Sequence, residues 1–280
     1  MGIGIAAIVL LAAFLHASWN ALVKTSADKI VSISSIALVV STAGFLVIPW
    51  VPLPDRASWI CLGISTLLHF AYYLFLSKAY QYGDLSQVYP IARGLAPLLV
   101  TVGAIVCVGE RLPLLPLLGV VMASAGIVSI VFLQESAMRR DPIALFFAVG
   151  TGVIIAGYTL ADGVGVRLSG NPLAYIAWMF FLKFPVVPIA LLMRRNQFVS
   201  VLRNEWKTMF GAGICCLLAY GMVVYAMTLA SMAAVSALRE SSVIIAALIG
   251  TFVLGEQLWR QRVAAAAVVA VGVALVTSTG

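Results

Sequence analysis

A polar skeleton recurs in this 280-residue chain at a fixed offset, with no gap needed to superimpose the copies. Arg93, the run Gly109-Glu110-x-Leu112 and Gly126 return as Arg239, Gly255-Glu256-x-Leu258 and Gly272, each 146 positions later. Matches between apolar segments are cheap, whereas an Arg inside an apolar stretch and a Gly-Glu at its end are not. Two similar copies must each bury, against the other, faces that neither can bury alone. In a membrane chain such duplication points to transport, because two like halves can rock around a site between them.

The membrane itself follows from composition. Hydrophobic residues make up 63% of the chain and charged residues 10%, against about 25% charged in soluble folds. About 20 apolar residues of helix span the hydrocarbon core. Ten such runs are legible between polar or Pro/Gly-rich breaks: 2–22, 31–50, 57–80, 85–108, 113–133, 142–162, 173–193, 208–230, 233–254 and 262–278. The expected class is an all-α integral membrane protein. A transmembrane barrel would instead show alternating segments of about 10 residues. The first run has no Lys or Arg before it and no small-residue cleavage pattern after it, so it reads as a retained helix and not a signal peptide.

Basic residues are unevenly distributed among the connections. The odd-numbered ones carry Lys24, Lys29, Arg139, Arg140, Arg194, Arg195, Arg203, Lys207, Arg260 and Arg262; the even-numbered ones carry only Arg56, Arg111 and Arg167. The positive-inside rule assigns the richer face to the cytoplasm and both termini to the outside. The net charge of +7 therefore reports orientation in a cell membrane, here a bacterial inner membrane, and implies no nucleic acid. Each repeat holds five runs, an odd number, so the second copy enters from the opposite side. The expected architecture is ten transmembrane helices in two inverted five-helix repeats, 1–138 and 139–280, meeting at the polar break near 134–141. Ala17-Ser18-Trp19-Asn20-Ala21 in the first run has a fainter echo in Ala156-Gly157-Tyr158-Thr159-Leu160 of the sixth.

Apolar spans that end in Gly-Glu-x-Leu, each followed by a span containing Gly126 or Gly272, resemble the EamA-type branch of the drug/metabolite transporter superfamily. The resemblance covers essentially the whole chain. It implies a ten-helix carrier of small metabolites, two inverted halves around a central cavity, and no cofactor. One departure is Gly119 in the fifth run, whose counterpart is Ala265. The stretch His16-Ala-Ser-Trp-Asn-Ala-Leu-Val-Lys24 is similar to a group of permeases associated with phosphonate utilisation.

Six charges fall inside or near the ends of the runs: Lys78, Arg93, Asp162, Lys183, Arg239 and Glu240. Each asks for a partner or a watery cavity, since a charge at mid-helix costs roughly 2.5–3.5 kcal/mol on insertion scales. Four cations against two anions leave a positive surplus. Inverted symmetry brings Arg93 and Arg239 towards one cavity, where two guanidiniums can hold a carboxylate or phosphonate through paired hydrogen bonds. The bland reading pairs each arginine with Glu240 or Asp162. Lys183 precedes Pro185 and Pro188, which free backbone carbonyls. In the fourth run Tyr89 shares a face with Arg93, and Pro90 and Pro97 each delete a helical hydrogen bond. Together these favour that run as a cavity wall and gating element.

His69, Asn20 and Tyr158 complete the candidate solute-binding set, with His16 on the face of Asn20. No carboxylate-rich spacing suggests a metal, and Cys61, Cys107, Cys215 and Cys216 read as buried apolar side chains. Glu110 and Glu256 sit at helix ends, where accepting from the free amides of the next helix is the favoured role. Small residues Gly119, Ala123, Gly126, Ala266, Ala270 and Gly272 permit close packing within the chain or in a homodimer. Two other classes compete with a carrier: a membrane-embedded lipid-modifying enzyme, for which no nucleophile–base cluster is visible, and a non-transporting subunit, which needs neither repeat nor interior arginines.

Overall fold

The computed structural model describes residues 1–24, 26, 28–82, 85–132, 141–252 and 259–278. Among these the chain is helical throughout: α1 (Ile3–Lys24), α2 (Lys29–Val47), α3 (Ser58–Tyr82), α4 (Leu85–Val108), α5 (Leu114–Phe132), α6 (Pro142–Leu168), α7 (Pro172–Phe181), α8 (Val186–Met193), α9 (Arg195–Ala226), α10 (Met232–Arg239), α11 (Ser241–Phe252) and α12 (Trp259–Thr277). A single 3-10 turn, Ile48–Trp50, follows α2. Among the described residues seven segments are long and apolar enough to cross a membrane, and Leu114–Ser129 and Ala264–Thr277 are shorter apolar helices. The surface is apolar and the interior charged. Leu67, Leu74, Val106 and Leu192 are exposed, while Arg93, Asp162, Arg239 and Glu240 are buried. That inversion of the soluble pattern is what a lipid surround requires.

Helix starts follow local chemistry. Asp28, Asp141, Asn171 and Ser231 accept from first-turn amides of α2, α6, α7 and α10, satisfying donors that lack intrahelical partners. Pro142 and Pro172 stand in the first turns of α6 and α7, where a missing N–H is harmless.

Three of the ten expected runs differ in the structure. The seventh splits into α7 and α8: between them Lys183, Phe184, Val186 and Val187 make bonds to the carbonyl three residues back, at 2.9–3.1 Å. Pro185 lacks the donor that would bond to Phe181, so the α ladder cannot continue there. The ninth run splits at Glu240 into α10 and α11 without proline or glycine. The break lies in Arg239-Glu240-Ser241-Ser242, four consecutive polar residues that are all buried. The eighth run begins earlier than its apolar part, because the polar residues from Arg195 onward extend α9 beyond the candidate span Arg203–Ala226. By contrast α4 stays helical through both Pro90 and Pro97.

Much of the packing, though not all of it, maps onto itself when the first five runs are exchanged with the second five. Helix α3 lies on α6 as α9 lies on α1; α4 meets α6 as α10 and α11 meet α1; α4 packs on α5 as α11 packs on α12. Three contacts are their own counterparts, α2 with α7, α5 with α12 and α4 with α10. The second is very close: a Cβ on Gly119 would lie 2.5 Å from the Gly272 carbonyl oxygen, and one on Gly272 2.6 Å from the Gly119 oxygen. Gly119, Gly126 and Gly272 are therefore engaged inside the chain, and these glycines are not offered to a second copy.

Candidate functional site

Both arginines converge on a single carboxylate. Arg93 on α4 places Nε 3.0 Å from one oxygen of Glu240, and Arg239 at the end of α10 places Nε 3.7 Å from the other. Arg93 also donates to the Ser242 hydroxyl at 3.1 Å. All three charged side chains are at most 6% exposed. The carboxylate sits in the α10–α11 break, immediately before the first turn of α11. Within the described residues the Arg239 Nη2 is buried without a hydrogen-bond partner, as are the hydroxyls of Ser236 and Ser241. Among the described residues, two buried guanidiniums share this one carboxylate.

Asp162, expected as the second arginine partner, is elsewhere. On α6 it accepts from the Tyr175 hydroxyl at 3.0 Å and the Tyr220 hydroxyl at 2.5 Å. Lys183, in the α7–α8 break, lies 5.1 Å from the Phe180 ring centre and 5.0 Å from that of Tyr220, and within electrostatic reach of Asp162. His69 bonds through Nδ1 to the Ser65 carbonyl at 2.8 Å. A carbonyl only accepts, so that nitrogen carries a proton. Its face stacks on Tyr158 with centroids 4.2 Å apart. Tyr158 lies within electrostatic reach of Arg93, Arg239, Asp162 and Glu240, joining the two clusters.

The remaining candidates are less central. Asn20 donates to the His16 carbonyl at 2.7 Å, one turn back on α1. The Trp19 indole donates to His16 Nδ1 at 3.3 Å, and His16 is within electrostatic reach of both arginines. Lys78 is exposed near the end of α3, beyond the span Ser58–Leu76, which reduces the interior count to three cations against two anions. Pro90 and Pro97 lie on α4 as expected, and the Thr101 hydroxyl donates to the Pro97 carbonyl at 2.8 Å. The Tyr89 side chain and all of Glu256 lie outside the described residues, as does the boundary between residues 138 and 139.

Glu110 does accept from the free amide of a helix start, but of α10 and not of the following α5. Both carboxylate oxygens are 3.0 Å from the Met232 nitrogen, across 122 residues of sequence, and one is 2.8 Å from Arg167 Nη1. Sequence reasoning counted Arg167 only as a loop charge, and it passed over Tyr175 and Ser242. The signal for Tyr175 was faint: one more aromatic in an apolar run, distinguished only by the Asp162 it meets in space. Ser242 follows Glu240 by two and belongs to the polar break.

The profile of the EamA-like transporter family matches residues 3–132 and 142–278. A solved structure titled "Crystal structure of protein" is similar with a TM-score of 0.76 at 17% identity, over 98% of this chain and 95% of that one. That likeness is one of fold. No curated protein gives a significant match. With its family profile matched across nearly its whole length, and apolar helices around a charged interior, the chain belongs to the EamA-like transporter family.

Proposed function

We propose that this transporter is a secondary carrier of a small anionic or zwitterionic metabolite, moved by alternating access, with the anionic group held between Arg93 and Arg239. The observation that carries this reading is the pair of buried guanidiniums sharing the one carboxylate of Glu240 at a helix break. The buried Arg239 Nη2, which has no hydrogen-bond partner among the described residues, asks for a visiting acceptor, and guanidinium forks match carboxylate and phosphonate geometry. Broken helices at membrane depth are tolerated where they line a site, which agrees with charges standing in both breaks. Asp162, Lys183, His69 and Tyr158 form the adjoining polar wall, where the rest of the solute, including an ammonium group, is read. Asn20 and Tyr89 are second-rank candidates.

In this reading the ten runs are ten spans in two inverted halves, 1–138 and 139–280, with both termini outside the cytoplasm. The exchange symmetry of the packing supports it. The chain does not act as an enzyme.

The test begins with thermal unfolding of detergent-solubilised protein against carboxylates, phosphonates, amino acids and organic cations, because a ligand of the native state raises stability. Uptake of the stabilising solute into liposomes follows. Anionic or zwitterionic solutes should stabilise the wild type, and monodisperse Arg93→Gln and Arg239→Gln should lose most of that response. Stabilisation by cations alone, or unchanged anion binding in both variants, would overturn the assignment.

A further inference from the structure

The Gly109-Glu110 pair ends α4 in an unusual way. Gly109 takes φ +73°, a conformation other residues adopt only under strain, and the Glu110 N–H bonds back to the Ala104 carbonyl at 3.0 Å. This turn releases the Glu110 side chain from its own helix and delivers it to the first residue of α10. Arg167, at the end of α6, completes the junction. Beside its 2.8 Å contact with Glu110, its Nε donates to the Met227 carbonyl at 2.7 Å and its Nη2 to the Ala230 carbonyl at 2.8 Å. One carboxylate and one guanidinium thus bind together the α4–α5 connection, the end of α6 and the α9–α10 connection. The Asp55 N–H bonds to the Ser169 carbonyl at 3.1 Å and adds the α2–α3 connection to the same end.

We infer that Glu110 and Arg167 form the gate that closes the central site on the face of these even-numbered connections. The inference rests on the carrier reading. The helix whose first residue is latched carries Arg239 at its other end, seven residues on, or about 10 Å at 1.5 Å per residue. Releasing the latch frees the α10 start, and α10 moves together with its arginine and the Glu240 break. The pair is also placed where it can open. Arg167 is 30% exposed and Glu110 10%, so both charges meet water as they separate. A fully buried pair would have to be broken without that compensation.

A thiol on α10 reports the state of this gate without any solute. Cys61, Cys107, Cys215 and Cys216 are replaced by alanine, and Ser236→Cys is introduced between the latch and Arg239. A membrane-impermeant methanethiosulfonate ammonium reagent is then applied to each face of oriented proteoliposomes, with exposed Arg111→Cys marking the even-connection face. Cys at 236 should react slowly from that face in the otherwise native protein. Glu110→Gln and Arg167→Gln should speed it about ten-fold or more, since each removes charge-assisted bonds. Arg167→Lys keeps the charge but cannot reach carboxylate and both carbonyls at once, so it should give an intermediate rate. It also carries the test if a glutamine variant fails to remain monodisperse. Unchanged rates in folded variants, or equal acceleration from both faces, would overturn the gate. Because no solute is used, the result stands or falls separately from the charge of the substrate.

Discussion

Replacing Glu240 by Gln is the sharpest perturbation of the interior. The side chain is fully buried and has guanidinium nitrogens at 3.0 and 3.7 Å. At an effective dielectric of 20 each contact is worth roughly 4–6 kcal/mol of Coulomb attraction before desolvation. Gln keeps the shape and one acceptor but removes the charge, leaving two buried guanidiniums facing each other. Removing one partner of such a pair typically costs about 3–5 kcal/mol, a fall in unfolding temperature on the order of 10 °C. The positive charge of the cluster rises by one. An anion should therefore stabilise Glu240→Gln more than wild type, recovering part of the loss. The assay is thermal unfolding of purified protein in detergent, in chloride alone and with added phosphonate or carboxylate. A variant as stable as wild type, or one whose anion response is unchanged, would refute the shared-carboxylate account.

Other expectations concern separate parts of the molecule. Gly119→Ala and Gly272→Ala each drive a Cβ to within 2.6 Å of a facing backbone oxygen; thermal unfolding should show a loss of about 1–3 kcal/mol. Gly63→Ala, with nothing within 4 Å, should be neutral or slightly stabilising. Asp162→Asn should destabilise by about 1.5–3 kcal/mol, because two phenols lose a charged acceptor. Combining it with Lys183→Met should cost less than the sum of the single changes, and strict additivity in that cycle would separate the two residues. A reporter fused after the last residue should be active outside the cytoplasm, and a cytoplasmic signal would reverse the orientation.

What could be read in the sequence was what depends on periodicity and on costly residue types. Charges inside apolar runs marked Arg93, Lys183, Arg239 and Glu240, and Pro185 marked a weakened ladder in the seventh run, though not its split into α7 and α8. The break at Glu240 has no such punctuation. It depends on partners that α4 supplies from the other half, so no local window contained it. Asp162 was a solute-binding candidate with an arginine as its alternative partner, because charge counting is blind to tyrosines, yet phenols from α7 and α9 donate to it. Glu110 showed its role as a helix-end acceptor, but which helix it serves depends on how the halves dock. Its partner Arg167 looked like any exposed loop charge.

The sharing of Glu240 also has a consequence for the order in which the protein is made. Arg93 is synthesised 147 residues before the carboxylate that neutralises it. At roughly 5–20 residues per second, that is a wait of about 7–30 s. During that interval α4 holds an arginine at a depth where insertion scales charge about 2.5–3.5 kcal/mol. Until then the first half lacks the Glu240 carboxylate, which the α10–α11 break supplies. Expressed alone, residues 1–138 should be degraded or held by insertion factors, and co-expression of residues 139–280 should rescue them.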